Sequence, residues 1–173
     1  MNLPNKLTIA RVICVPIFVV LFLFKLYIWA FIVFVIASLT DMFDGRIARA
    51  RNMVTNFGKI MDPLADKVLV YAAFCLFVQK GIMPGWMLIV ILAREFAVSG
   101  MRTVAASEGK VIAAGMTGKI KTVLQMFATL FLIISPYHQY LEIAGKILLW
   151  ASLVMTVVSG AEYIIKNKDV FSM

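Results

Sequence analysis

Long apolar stretches alternate along this chain with short polar or Gly/Pro-bearing breaks. Residues 12–26 form the first stretch, with Lys25 marking its far end. A second begins near Tyr27 and continues past Leu39 into the polar segment 41–50, and residues 51–57 read as a polar turn. The third covers about 59–78 and stops at Lys80-Gly81, with Pro84-Gly85 as turn punctuation. The fourth runs over 86–106, and the fifth over 119–134 until Ser135-Pro136 ends it. The sixth covers 141–165 ahead of a polar tail. Residues 2–10 read as an interfacial lead-in, with Leu3, Leu7 and Ile9 apolar around Lys6. Each main stretch approaches the roughly 20 residues a helix needs to cross a bilayer. The expected fold is therefore all-α and integral to the membrane: six transmembrane helices with an N-terminal interfacial segment, in one domain over residues 1–173. No cleavage pattern follows the first stretch, so it is expected to be a retained helix.

Composition agrees with this. Of 173 residues, 62% are apolar and only 15% charged, whereas a soluble domain carries about a quarter charged residues. Too few polar residues remain to cover a water-facing surface. The net charge of +8 could indicate nucleic acid, but the lysines and arginines fall between apolar stretches, not along one basic face. That distribution belongs to topology signals and anionic-lipid contacts. With the N-terminus in the cytoplasm, that side collects most of the basic residues, and the opposite side keeps Lys25, Lys80 and Lys146. A multi-pass protein of the cell membrane, with both termini cytoplasmic, is expected. Cys14 and Cys75 read as small buried side chains. His138, the one histidine, falls in a short external loop, and Trp29, Trp86, Trp150 and Tyr137 read as interfacial belt residues.

Four of the five aspartates fall between positions 41 and 66. Asp41 and Asp44 are spaced i, i+3 and Asp62 and Asp66 i, i+4, so each pair shares a helix face. The short turn between the two helices makes them antiparallel neighbours. Four carboxylates in a low-dielectric site need positive charge between them. A hard divalent cation with oxygen ligands, Mg²⁺ or Mn²⁺, suits carboxylates that also hold substrate phosphates, and two such ions suit an in-line displacement at phosphorus. Gly45, Ala48 and Gly58 leave room for a nucleotide to lie against backbone. The alternative, that the aspartates are helix caps and loop acids, fits one or two of them but not four on two glycine-bearing stripes.

The run Asp41-x₂-Asp44-Gly45-x₂-Ala48-Arg49-x₈-Gly58-x₃-Asp62-x₃-Asp66 resembles the signature of the CDP-alcohol phosphotransferase family at all eight of its fixed positions. Asn5-x₂-Thr8-x₂-Arg11, Ala93-Arg94-Glu95, Arg102 and the segment 118–122 resemble the branch of that family whose acceptor is glycerol 3-phosphate. The resemblance implies that Asp41, Asp44 and Asp62 hold metal ions, and that Asp66 both contacts a metal and acts as general base. It implies that Asn5, Thr8, Asp44, Gly45, Ala48, Arg49 and Gly58 border the cytidine nucleotide. A homodimer of six-span protomers is implied as well. The expected reaction transfers a phosphatidyl group from CDP-diacylglycerol to the primary hydroxyl of glycerol 3-phosphate, with CMP leaving.

The acceptor's own phosphate needs cations, and Arg102, Lys119 and Lys121 sit at the cytoplasmic ends of the fourth and fifth stretches, where they can form that pocket. Plain topology anchors are the competing reading for these three. Arg94 and Glu95 lie deeper and read as an internal ion pair with neighbouring helices, ahead of substrate contact. Two other functions stay open: the same chemistry with another acceptor (serine, inositol phosphate or a phospholipid head group), and a divalent-cation transporter. Against the transporter, acids gather at one mouth only, with no matching polar residues through the outer halves of the spans.

Overall fold

The computed structural model describes the backbone of residues 3–50, 56–107 and 115–167, and the side chains of 9–40, 67–107 and 115–167. Among the described residues every regular element is helical: α1 (Leu3–Leu23), α2 (Tyr27–Ala50), α3 (Asn56–Gln79), α4 (Gly85–Ser107), α5 (Met116–Ile134) and α6 (Gln139–Lys166), with a 3₁₀ turn at Ser135–Tyr137 between the last two. The helices correspond to the six apolar stretches, with ends moved by a few residues.

The lead-in is the main correction. Residues 3–10 are not a separate interfacial segment but the first turns of α1, which continues without a break to Leu23. Pro4 does not interrupt it, because proline is tolerated in a helix's first turn, where its missing N–H would be unsatisfied anyway.

Two of the turns are closed by the same device. At the end of α1, Lys25 adopts the left-handed conformation (φ 63°). Its N–H donates to the Phe22 carbonyl at 3.0 Å and that of Leu26 to the Leu21 carbonyl at 2.9 Å. At the end of α3, Gly81 (φ 72°) repeats this, with Gly81 N–H bonding the Val78 carbonyl at 3.0 Å and Ile82 N–H the Phe77 carbonyl at 2.9 Å. Both are Schellman caps, which satisfy carbonyls the helix leaves without partners. Gly81 adopts this conformation without steric cost, whereas Lys25 does so with a Cβ.

α5 and α6 pack along each other, α1 packs on α2 and α3, and α4 lies on α6. α5 joins the two groups through α2 and α3. The core fills one end of this bundle. Phe18, Phe22, Phe34, Phe74 and Phe77 are buried there with Met83, Met87, Leu132 and Leu149. Phe22 lies 6.0 Å from Phe77 and 5.4 Å from Tyr27, ring centre to ring centre, in edge-on geometry, the arrangement aromatic pairs prefer. Lys80 closes this end, with its ammonium 4.1 Å from the Tyr27 ring centre and hydrogen-bonded to the Tyr27 hydroxyl.

The surface is turned inside out relative to a soluble protein. Phe96 and Ile165 are each 70% exposed, and Ile89, Phe127, Ile147 and Val154 are also exposed, while Glu95, Lys121, Gln125, Thr129, Ser152 and Thr156 are buried. Apolar outside and polar inside is what lipid selects. Two stretches, Met116–Tyr137 and Gln139–Lys166, are long and apolar enough to cross a membrane among the described residues. Shorter apolar stretches occupy Ile9–Leu23, Tyr27–Thr40 and Lys67–Gln79. Trp86 and Trp150 meet at 5.8 Å on the half-exposed surface. His138 is exposed, as expected for a loop residue. The cysteines depart from expectation: Cys14 is only half-buried and Cys75 is exposed. Cys75 follows the buried Phe74 on α3, and a helix turns about 100° per residue, which carries it to the outer face.

Candidate active site

The other end of the bundle is polar and open. A cavity of about 560 Å³ lies between α4, α5 and α6, with Lys67 entering from α3. Six basic side chains line it (Lys67, Arg94, Arg102, Lys119, Lys121 and Lys166) against two acids, Glu95 and Glu162.

Glu95 organises the inner wall. One carboxylate oxygen lies 2.9 Å from Lys67 Nζ, and the other accepts from Lys121 Nζ at 2.5 Å and from Arg94 Nη1 at 3.2 Å. Lys121 and Glu95 are both buried, so these two charges hold each other in a region from which water is largely excluded, with the partly exposed Lys67 beside them. Lys67 also donates to Ser99 Oγ at 3.2 Å, and Arg94 Nη2 donates to Ser159 Oγ at 3.1 Å. Arg94 threads between two glycines to get there. A Cβ on Gly160 would stand 2.9 Å from Arg94 Cγ, and one on Gly118 would stand 3.5 Å from its Nη2.

The rim carries weaker interactions. Arg102 lies over the Tyr163 ring, 5.5 Å from its centre, and its Nε donates to the Tyr163 hydroxyl at 3.3 Å. Glu162 accepts from Thr117 at 2.7 Å and from Lys166 at 2.6 Å, which balances Lys166. Arg102 and Lys119 have no acidic partner among the described residues, so the cavity keeps an excess of positive charge.

Of the residues expected to bind phosphate, Arg102, Lys119 and Lys121 all line this one cavity. The internal ion pair expected of Arg94 and Glu95 is present, and it also forms the cavity wall. Several cavity residues escaped the sequence reading, among them Lys67, Ser159, Glu162 and Tyr163. Lys67 had read as a topology charge, although it directly follows Asp66. The last three recur at i, i+3 and i+4 on a largely apolar helix, a polar stripe that could have been found.

The signature residues are placed by backbone alone. Asp41, Asp44, Gly45, Ala48 and Arg49 lie in the second half of α2, and Gly58, Asp62 and Asp66 in the first half of α3. α2 and α3 touch. Asn5 and Thr8 lie in the first turns of α1. The side chains of these residues lie outside the described ones. What the backbone does establish is continuity, because Asp66 and the cavity-lining Lys67 are consecutive on one helix. Oxygen donors at i, i+3 on one helix and i, i+4 on its neighbour suit a hard divalent cation.

Fold and cavity together define an all-helical membrane protein with a cavity at its polar end that basic side chains dominate among the described residues. The chain belongs to the CDP-alcohol phosphatidyltransferase family, whose family model matches residues 1–158. Three curated relatives carry the name CDP-diacylglycerol–glycerol-3-phosphate 3-phosphatidyltransferase. The protein from Bacillus subtilis (strain 168) is 45% identical, covering 96% of this chain and 95% of its own. That from Rickettsia typhi is 40% identical over 98% of this chain and 99% of its own. The Salmonella paratyphi A protein is 38% identical over 94% and 93%.

Proposed function

We propose that this chain transfers the phosphatidyl group of CDP-diacylglycerol to the primary hydroxyl of glycerol 3-phosphate, forming phosphatidylglycerophosphate and releasing CMP. The observation that carries the acceptor assignment is the basic cavity contiguous with Asp66. An acceptor that brings its own phosphate needs cations beside the reacting hydroxyl, and this cavity supplies an excess of them. Likeness over almost the whole chain to relatives of that name supports the same reading.

In this reading Asp41, Asp44, Asp62 and Asp66 hold divalent cations, Mg²⁺ or Mn²⁺, two per protomer. When bound, such ions neutralise the diphosphate and the leaving CMP. Asn5, Thr8, Asp44, Gly45, Ala48, Arg49 and Gly58 border the cytidine nucleotide. Arg102, Lys119 and Lys121 hold the acceptor's phosphate, which orients its primary hydroxyl toward α3. Asp66 accepts the hydroxyl proton as that oxygen bonds to the phosphorus carrying diacylglycerol. The bond from that phosphorus to the CMP oxygen breaks, and CMP departs with the electron pair. Positioning and charge neutralisation supply most of the rate gain, as in other phosphoryl transfers.

The protein acts as a homodimer of six-span, single-domain protomers in the bacterial plasma membrane, with its polar end and both termini cytoplasmic. The test is a purified enzyme given CDP-diacylglycerol with glycerol 3-phosphate, serine or inositol phosphate in turn, reading CMP release. Glycerol 3-phosphate alone should support turnover. Faster release with either other acceptor would replace this assignment.

A further inference from the structure

We infer that Glu95 is a positioning residue that fixes Lys67 and Lys121 for the acceptor's phosphate and thereby sets the preference for a phosphorylated acceptor. This rests on the proposed reaction and assigns a part of the cavity that reading leaves unused.

Three cations converge on one carboxylate, at 2.9, 2.5 and 3.2 Å from Lys67, Lys121 and Arg94. One negative charge cannot neutralise three positive ones, so among the described residues the inner wall keeps more cations than acids. A simple structural ion pair would balance its charges, because burying uncompensated charge is costly. Glu162 and Lys166 on the rim do balance. The three cations around Glu95 line the cavity, and a phosphate dianion would complete the set.

Geometry explains why a carboxylate is needed in a pocket for anions. Lys67, Arg94 and Lys121 come from α3, α4 and α5, and without a shared acceptor their mutual repulsion would splay them apart. Both lysine side chains are long and rotamer-rich, so an unheld ammonium would add an ordering cost to every binding event. Glu95 meets that cost in advance. Lys67 extends the effect to the reacting centre, since it follows Asp66 on α3.

The Glu95→Gln enzyme, in detergent or liposomes, should show a KM for glycerol 3-phosphate raised at least about tenfold, equivalent to about 1.4 kcal/mol. The KM for CDP-diacylglycerol should stay within about twofold, a difference below about 0.5 kcal/mol. Glu95→Asp should recover part of the loss. A second measurement separates positioning from folding: because Glu95 acts through Lys67 and Lys121 together, adding Glu95→Gln to Lys121→Met should raise KM by a smaller factor than Glu95→Gln does alone. Equal rises for both substrates, a fall in the KM for glycerol 3-phosphate, or full additivity in the double variant would overturn the inference. So would a lower unfolding temperature with unchanged KM values. Wild-type turnover is the control: its absence with glycerol 3-phosphate would overturn the proposed reaction, whereas turnover insensitive to Glu95→Gln would overturn only this assignment.

Discussion

The two ends of the bundle solve opposite problems with the same six helices. At one end Phe18, Phe22, Phe34, Phe74 and Phe77 fill the space between the helices and tight Schellman caps close α1 and α3. At the other, the helices leave a cavity walled by cations. Lipid gives little incentive to bury apolar side chains, so the aromatic end holds by dispersion and shape. The polar end holds by ion pairs around its cavity, where the described side chains include more cations than acids. One end therefore carries the stability that lets the other remain open.

Substitutions that separate stability from turnover test this division. The largest effect is expected from Asp66→Asn, which should lower kcat by about 10³-fold, within the range for losing a general base. Its thermal unfolding should match wild type, and substantial turnover would remove Asp66 from that role. Next comes Phe77→Ala at the aromatic end, which should cost about 3 kcal/mol of stability. Its surviving folded fraction should keep both KM values, and a selective change in either would mean that the two ends are coupled. Lys119→Ala should raise the KM for glycerol 3-phosphate by about threefold to tenfold, the scale of one ordinary hydrogen bond, with little effect on the lipid substrate. Equal effects on both would return Lys119 to a membrane anchor. The smallest change is expected from Tyr163→Phe. It removes the hydroxyl that accepts from Arg102 but keeps the ring beneath the guanidinium, so the same KM should rise only about twofold, under 0.5 kcal/mol.

Much of the helix order was legible because its signals are local. Lys80-Gly81 and Ser135-Pro136 stop helices for reasons written in their own backbones, and long apolar stretches fix what lies between. The start of α1 misled because Leu3, Leu7 and Ile9 around Lys6 resemble an amphipathic surface segment, a pattern the first turns of a longer helix carry equally well. The cavity was half legible. Arg102, Lys119 and Lys121 announced themselves as cations at helix ends, and Arg94-Glu95 as a charged pair inside an apolar stretch. That Glu95 would gather Lys67 and Lys121 as well was not legible, because those residues are brought together from α3 and α5 only by tertiary packing. Spacing within a helix reveals a face, but it does not say which face of another helix will meet it.

Two close approaches along α6 have a further consequence. Near its start, a Cβ on Gly145 would come within 2.7 Å of Leu132, and near its end Gly160 gives Arg94 its passage. These points lie about 22 Å apart along the axis. A rotation of α6 that brought a neighbouring side chain round to either contact would drive it into α5 or α4. The last helix is therefore keyed at both ends like a shaft in a slot, and the bearing this gives Ser159, Glu162 and Tyr163 on the cavity is the one their hydrogen bonds to Arg94, Thr117 and Arg102 then hold.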